Sequence, residues 1–215
     1  MADPARLKRL IEERLQDTRP AVDPRMAYPA GITPEAAQAD HAIRQYFPAS
    51  PIAAAVLVPI IDHPGGLTVL LTERATHLKH HPGQISFPGG RIESSDASPL
   101  AAALRETEEE IGLSREHVRL VGYLEPHLVL TGYWITPVVA FVQPGFELRL
   151  DAREVASTFE VPLAHILDPA NHRSRERVVG TVSVRVYDIP FEGHNIWGAT
   201  AGILMALYRL LTASR

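Results

Sequence analysis

Cysteine is absent from the 215-residue sequence, which removes disulfide scaffolds, thiolate-held zinc and cysteine nucleophiles together. Long apolar runs are missing too: the longest, around Ala53–Ile61, spans about nine residues against the roughly 18 that a bilayer crossing needs. No membrane partner is expected. The first seventeen residues carry Asp3, Arg6, Lys8, Arg9, Glu12, Glu13 and Arg14 and lack the apolar stretch of a signal peptide, so a cytoplasmic location is expected. There is no excess of one charge either, with 21 basic against 25 acidic residues and a formal charge of −4. Nucleic acid is therefore not an expected partner, and any anionic ligand must be held locally. Ten histidines are present, yet no His-Glu-x-x-His occurs, and His80 and His81 are merely adjacent. A Gly-x-Ser-x-Gly elbow, a P-loop and a Gly-x-Gly-x-x-Gly fingerprint are absent as well.

What is present is the composition of one globular domain with a sizeable core, 46% hydrophobic and 21% charged. Leu7, Leu10, Ile11 and Leu15 recur at helical spacing and predict a short amphipathic helix over Ala5–Leu15. Arg19–Pro51 holds six of the eighteen prolines and reads as an irregular arm. The chain thus divides into residues 1–50, a helix and arm, and a domain over 51–215. Ala53–Ile61 and Leu67–Thr72 are β-rich runs around the turn composition Asp62-His63-Pro64-Gly65-Gly66, a hairpin. Further strands are expected at Gln84–Phe87, Arg119–Tyr123, Trp134–Val142 and Val178–Ile189, with helices near Leu163–Leu167 and over Thr200–Leu211. Strands and helices mix without regular alternation, which predicts a mixed-sheet α/β or α+β sandwich.

One helix concentrates the chemistry. Ser98 followed by Pro99 marks its start and Gly112 its stop. Helical periodicity puts Leu100, Leu104, Thr107 and Ile111 on one stripe, the face expected to pack on the sheet. Relative to Glu106, Glu109 lies at about −60° and Glu110 at about +40°, so three carboxylates share one arc. They repel one another near a helix C-terminus, where the macrodipole also disfavours anions. A hard divalent cation relieves both penalties, and an oxygen-only donor set selects magnesium, manganese or calcium over zinc. Ala102 and Ala103, one turn earlier, are expected to leave room for a ligand. Arg105 can orient Asp96 or Glu93, and Gly89-Gly90 lets the backbone approach a ligand closely.

Gly90, Arg105-Glu106, Glu109-Glu110 and Gly112-Leu113 together resemble the box of the Nudix hydrolases. Asp96 stands where most members have glutamate, its spacing to Arg105 is one residue longer than the commonest box, and Thr107 replaces an aliphatic. Upstream, Leu71-Thr72-Glu73-Arg74-Ala75, Lys79, Gly83 and Phe87-Pro88-Gly89-Gly90 are similar to the signature of the coenzyme A pyrophosphatase branch, with Lys79 in place of its usual arginine. Phe159–Leu163 and Ile196–Thr200 resemble later blocks of that branch. The resemblance implies an α/β/α sandwich around a mixed sheet and metal-dependent hydrolysis of a phosphoanhydride by water. It implies Glu106, Glu109 and Glu110 as ligands of Mg2+ or Mn2+, with Arg105 completing the catalytic set. Arg74, Lys79, Gly89 and Gly90 are the implied substrate-binding positions. Glu106 and Glu160 both remain candidates for the general base. The implied substrate is a small molecule, coenzyme A or a derivative. The alternatives are another nucleoside diphosphate derivative such as ADP-ribose or a dinucleotide, and a catalytically silent binding module. Arg74, His77, Lys79, His80, His81 and Arg91 are expected to gather as the positive counterpart of such a substrate.

Overall fold

A computed structural model describes residues 3–22, 28–29, 49–79 and 81–213. In chain order the elements are α1 (Pro4–Leu15), β1 (Tyr28–Pro29), β2 (Ile52–His63), β3 (Gly66–Arg74), β4 (Ile85–Ser86), β5 (Gly89–Arg91) and α2 (Pro99–Ile111). There follow β6 (Val118–Tyr123), β7 (His127–Leu128), β8 (Tyr133–Val142), β9 (Val155–Pro162) and α3 (Leu163–Leu167). The chain ends with β10 (Arg173–Val179), β11 (Val182–Phe191), β12 (His194–Trp197) and α4 (Gly198–Thr212).

The central sheet is mixed. Its core path runs β1-β7-β8-β2-β3-β4, with β5 on β2, β6 on β8 and β9 on β3. β2 and β8 pair in parallel over Ile52–Ile61 and Tyr133–Val142, whereas β2 with β3 and β3 with β9 are antiparallel. The period of two along β2 sends Ala55, Leu57 and Ile61 to one face and Val58 and Ile60 to the other. The first face packs against α2. The second carries α1, α3, α4 and the inner side of a separate antiparallel ribbon, β10-β11-β12. This is an α+β sandwich with helices on both faces of a mixed sheet. Ile11 and Leu15 of α1 are fully buried in that second core, so α1 packs as part of the domain. The arm's residues 23–27 and 30–48 lie outside the described residues. Among the described residues no helix is long and apolar enough to cross a membrane.

Three expectations change. The run Val178–Ile189 is not one strand: Gly180 takes a positive φ of 60°, and the chain turns there between β10 and β11. Gly89-Gly90 lies in a strand not expected from the sequence, β5, paired with Ala55 and Val56. The inward face of α2 is Ala102, Ala103, Thr107, Glu110 and Ile111, while Leu100 and Leu104 are only half-buried at its margin. Ala102 and Ala103 thus do not leave room for a ligand. Their methyls are fully buried against the sheet and let the helix axis approach it.

Candidate active site

The site is built where β5 passes under α2. Ser98 accepts the Ala101 N–H at 3.2 Å to start the helix, and Gly112, at a φ of 70°, ends it just after the glutamates. Gly89 has a φ of 146°, and a Cβ there would meet the Ala55 carbonyl oxygen at 2.4 Å. A Cβ on Gly90 would meet the carboxyl carbon of Glu106 at 2.4 Å. Only glycine lets this strand fit between β2 and the carboxylates.

Arg105 is the organising cation. Its Nε and Nη2 donate to the two oxygens of Asp96 at 3.1 and 2.9 Å, the bidentate fork geometry. Nη1 donates to Glu106 at 3.0 Å and to Glu109 at 3.2 Å, and Nη2 also reaches the Arg91 carbonyl at 3.1 Å. Of the two loop acids open to it, Arg105 takes Asp96. Asp96 also accepts the Glu93 N–H at 2.8 Å, so one carboxylate ties the loop to itself and to the helix. Arg105 holds the Asp96 carboxyl below the usual carboxylate range, and Asp96 in turn raises the guanidinium.

The three glutamates occupy different environments. Glu110 is buried and accepts the Gly89 N–H at 3.0 Å. Burial pushes its pKa up to about 8, helped by the charges of Glu154 and Glu106 and opposed by the Gly89 N–H and Arg74. Glu106 is also raised, chiefly by burial, with Arg105 opposing and Glu109 and Glu154 adding to it. Glu109 points outward, its side chain 61% exposed.

Of the positions expected to bind substrate, Arg74, Gly89 and Gly90 lie beside the glutamates. Arg74 lies close enough to stabilise the Glu110 anion, and its buried Nε has no hydrogen-bond partner among the described residues. Lys79 is exposed in the loop between β3 and β4. Three further members of the expected basic cluster have protein partners of their own. His77 faces the Arg153 carbonyl at 3.1 Å, His81 faces Gln84 at 2.8 Å, and Arg91 donates to the Tyr133 hydroxyl at 2.9 and 3.1 Å. His80 lies outside the described residues.

Glu160 sits at the other end of β3. It pairs with Leu70, four positions from Arg74, and its carboxylate contacts His63 at 2.7 Å and Thr68 at 2.5 Å. At about 3.4 Å per residue that is roughly 14 Å along the strand from Arg74, and its carboxylate is already engaged by His63 and Thr68. The carboxylate that sequence reasoning missed is Glu154, which acts on both Glu106 and Glu110 from the loop before β9. Its carbonyl accepts the Ala75 N–H at 2.8 Å and so fixes that loop beside the end of β3. Nothing local marks it, because only the β3–β9 register brings it there.

The family model for the NUDIX domain matches residues 51–180. The uncharacterized Nudix hydrolase NudL of Escherichia coli (strain K12) is 43% identical over 155 residues, which is 72% of this chain and 80% of that protein. The chain belongs to the Nudix family. NudL of Shigella boydii serotype 18 gives the same 43% over 155 residues. Among solved structures, the Nudix hydrolase RenU from M. smegmatis is 26% identical over 54% of this chain and 73% of its own, with a TM-score of 0.46. As a Nudix hydrolase the chain is a pyrophosphatase acting on nucleoside diphosphate derivatives.

Nudix hydrolases generally use divalent cations, and the acidic face fits such a cation in donor chemistry. Glu106 and Glu110 are raised by burial and by neighbouring carboxylates, which marks a deficit of positive charge that a hard, oxygen-seeking ion supplies. The geometry is open rather than a finished cage: among the described residues no three acidic or histidine side chains converge closely enough to hold an ion as they stand. Glu106 and Glu109 are instead turned to Arg105.

Proposed function

We propose that this Nudix hydrolase cleaves the pyrophosphate bond of coenzyme A or its derivatives, releasing phosphopantetheine, free or acylated, and adenosine 3′,5′-bisphosphate. The observation that carries the reading is the placement of Arg74 and Gly89-Gly90 against Glu106 and Glu110. These are the positions at which the sequence resembles the coenzyme A pyrophosphatase branch.

Glu106, Glu109 and Glu110 would hold Mg2+ or Mn2+, which when bound neutralises charge on the phosphates and lowers the pKa of a coordinated water. Arg105 is a positioning residue: it holds Glu106 and Glu109 to the helix and the Asp96 loop to both. Gly89 and Gly90, lacking side chains, let β5 lie directly beside the carboxylates that would take the pyrophosphate through the cation. Arg74, with its unpartnered Nε, offers the buried positive charge for it. Lys79 meets the substrate from the exposed loop. Glu154, exposed and beside the helix carboxylates, takes the proton of the attacking water as the phosphorus–oxygen bond breaks.

The test is incubation of the purified protein with Mg2+ or Mn2+ and, in parallel, coenzyme A, ADP-ribose and a dinucleotide, followed by chromatography of the products. Coenzyme A is expected to have the highest kcat/KM and to yield adenosine 3′,5′-bisphosphate. A tenfold or greater preference for either other substrate overturns the coenzyme A reading.

A further inference from the structure

Glu154 reaches the acidic helix through two local devices, one on each side of it. The first is a β-bulge in β9. Ser157 pairs with Glu73 and Val155 with Arg74, so Ala156 is the extra residue between them. On an unbroken period of two, Val155 would share a face with Phe159 and Val161, which pack in the core on the far side of the sheet. The bulge turns Val155 over instead, and it is buried in the core beneath α2 with Ala102 and Ile111. Glu154 therefore leaves the strand on the side where the helix carboxylates and Arg74 lie.

The second device is the turn before it, and Asp151 makes three kinds of contact there. Its N–H donates to the Glu110 carbonyl at 2.9 Å, beside Arg149, whose N–H donates to the Ile111 carbonyl at 2.8 Å. Those are carbonyls that the end of a helix leaves without partners of its own. The Asp151 carbonyl accepts the N–H of Glu154 and of Val155, each at 2.9 Å. Its carboxylate closes the turn: Oδ1 accepts the Arg153 N–H at 2.9 Å, and the Arg153 guanidinium donates Nε to both oxygens at 3.0 and 3.1 Å and Nη2 to Oδ2 at 2.6 Å. The Arg153 side chain is 88% exposed, so the pair lies at the surface and its guanidinium stabilises little. The short-range bond to the Arg153 N–H is what fixes the path from Asp151 to Glu154.

We propose that Asp151 is a positioning residue for the hydrolysis, tying Glu154 to the helix turn that carries Glu110 and so holding it where the attacking water loses its proton. The proposal rests on Glu154 as the base and goes beyond it, since it names what sets the distance between the base and the carboxylates.

The test is a double-mutant cycle on kcat with Mg2+, run on whichever substrate is turned over fastest, so that it does not depend on coenzyme A. Glu154→Gln should lower kcat by on the order of 10² or more. Asp151→Ala should lower it about 10- to 100-fold with KM within about twofold, and Asp151→Asn, which keeps an acceptor for the Arg153 N–H, should return it to within about threefold of wild type. On the Glu154→Gln background Asp151→Ala should cost less than about threefold more, because a side chain that has lost its base has no position left to lose. Arg153→Ala keeps the N–H and should stay within about threefold of wild type. In metal-free protein the amides of Glu154 and Val155 should exchange about tenfold faster in Asp151→Ala. Asp151→Glu, which keeps the charge but moves the acceptor oxygen by a methylene, takes the place of the alanine variant if that one melts low. A loss that is as large on Glu154→Gln as on the wild type, unchanged exchange at the two amides, or an equal loss in Arg153→Ala overturns the positioning role and leaves Glu154 as the base. Wild-type turnover in Glu154→Gln overturns the base, and this inference with it.

Discussion

The acidic helix and the arginine ribbon are built on one plan with the signs reversed. On α2, three carboxylates crowd one turn, Glu110 turned to the sheet and Glu109 outward, and one guanidinium, Arg105, contacts two of them, Glu106 and Glu109. On the ribbon, three guanidiniums share a face and one carboxylate, Asp188, contacts one of them. Each cluster is short of opposite charge, and burial raises the cost only at the first, where Glu110 is driven up to about 8. The difference teaches what each end can do. A cluster that strains against its own burial draws a cation and changes the energy of a reaction, whereas an exposed cluster resting on a ring, that of Trp197, keeps its charge hydrated at little cost.

The largest effect expected follows from that division. Glu109→Gln or Glu110→Gln should lower kcat by on the order of 10² or more for every substrate, since a lost ligand weakens charge stabilisation in the transition state. Steady-state kinetics beside a thermal melt checks this. Wild-type turnover in both variants would remove the helix from the chemistry.

Arg74 tests the first cluster alone. It lies by Glu110, at the acidic cluster, so Arg74→Gln should cut kcat/KM by about 10- to 100-fold on coenzyme A and on dephospho-coenzyme A alike. A loss confined to coenzyme A would place Arg74 at the ribose phosphate instead of the pyrophosphate.

These two regions were unequally legible in the sequence. The glutamates, Arg105, Asp96 and the glycine pair lie within Gly89–Glu110, so helical spacing and local turn chemistry suffice to bring them together. The orientation of α2 was misread because leucine draws attention and alanine does not. Ala102 and Ala103 mark the closest approach to the sheet, and Leu100 and Leu104 border it. The ribbon was illegible for a different reason: Arg175, Asp188 and Trp197 meet only through the register of three strands, after a turn at Gly180 that the β-branched residues on either side conceal. Strand β9, VASTFEVP, mixes Val155, Phe159 and Val161 with Ser157, Thr158 and Glu160 without a clean period of two, so neither its place on β3 nor the position of Glu154 was visible.

A buried group that needs no counter-charge provides the control for both clusters. His127 is 2% exposed, its Nδ1 faces the Glu125 carbonyl at 2.9 Å, and burial lowers its pKa to about 4. It is neutral in the folded protein and titrates near 6.5 when unfolded, so protons bind the unfolded chain first as pH falls. Its contribution to stability is full above pH 6.5 and is lost toward pH 4, at about 1.4 kcal/mol per pH unit within that window. Urea unfolding at pH 7, 5.5 and 4.5 should show a shallower loss in His127→Gln than in the wild type. Equal slopes would return the acid limb to the charged clusters.

The smallest effect expected separates the two sides of α2 itself. Thr107 stands where the resemblance leads one to expect an aliphatic residue, and the structure treats it as one: it is fully buried on the sheet side, one residue from Glu106. Its hydroxyl has no hydrogen-bond partner among the described residues. A buried hydroxyl without a partner forfeits its hydration for nothing, while valine keeps the shape and loses the polar atom. Valine also has a helix propensity close to that of threonine, so the backbone adds little of either sign. Thr107→Val should therefore stabilise the protein by up to about 1 kcal/mol and leave kcat within twofold, because the residue is buried on the sheet side and the carboxylates stay with Arg105 and Gly89. Urea denaturation and an activity assay on the same preparation measure both. Destabilisation by a similar amount would mean that the hydroxyl has a partner, and a fall in kcat would mean that the inner face of the helix is not independent of the outer one.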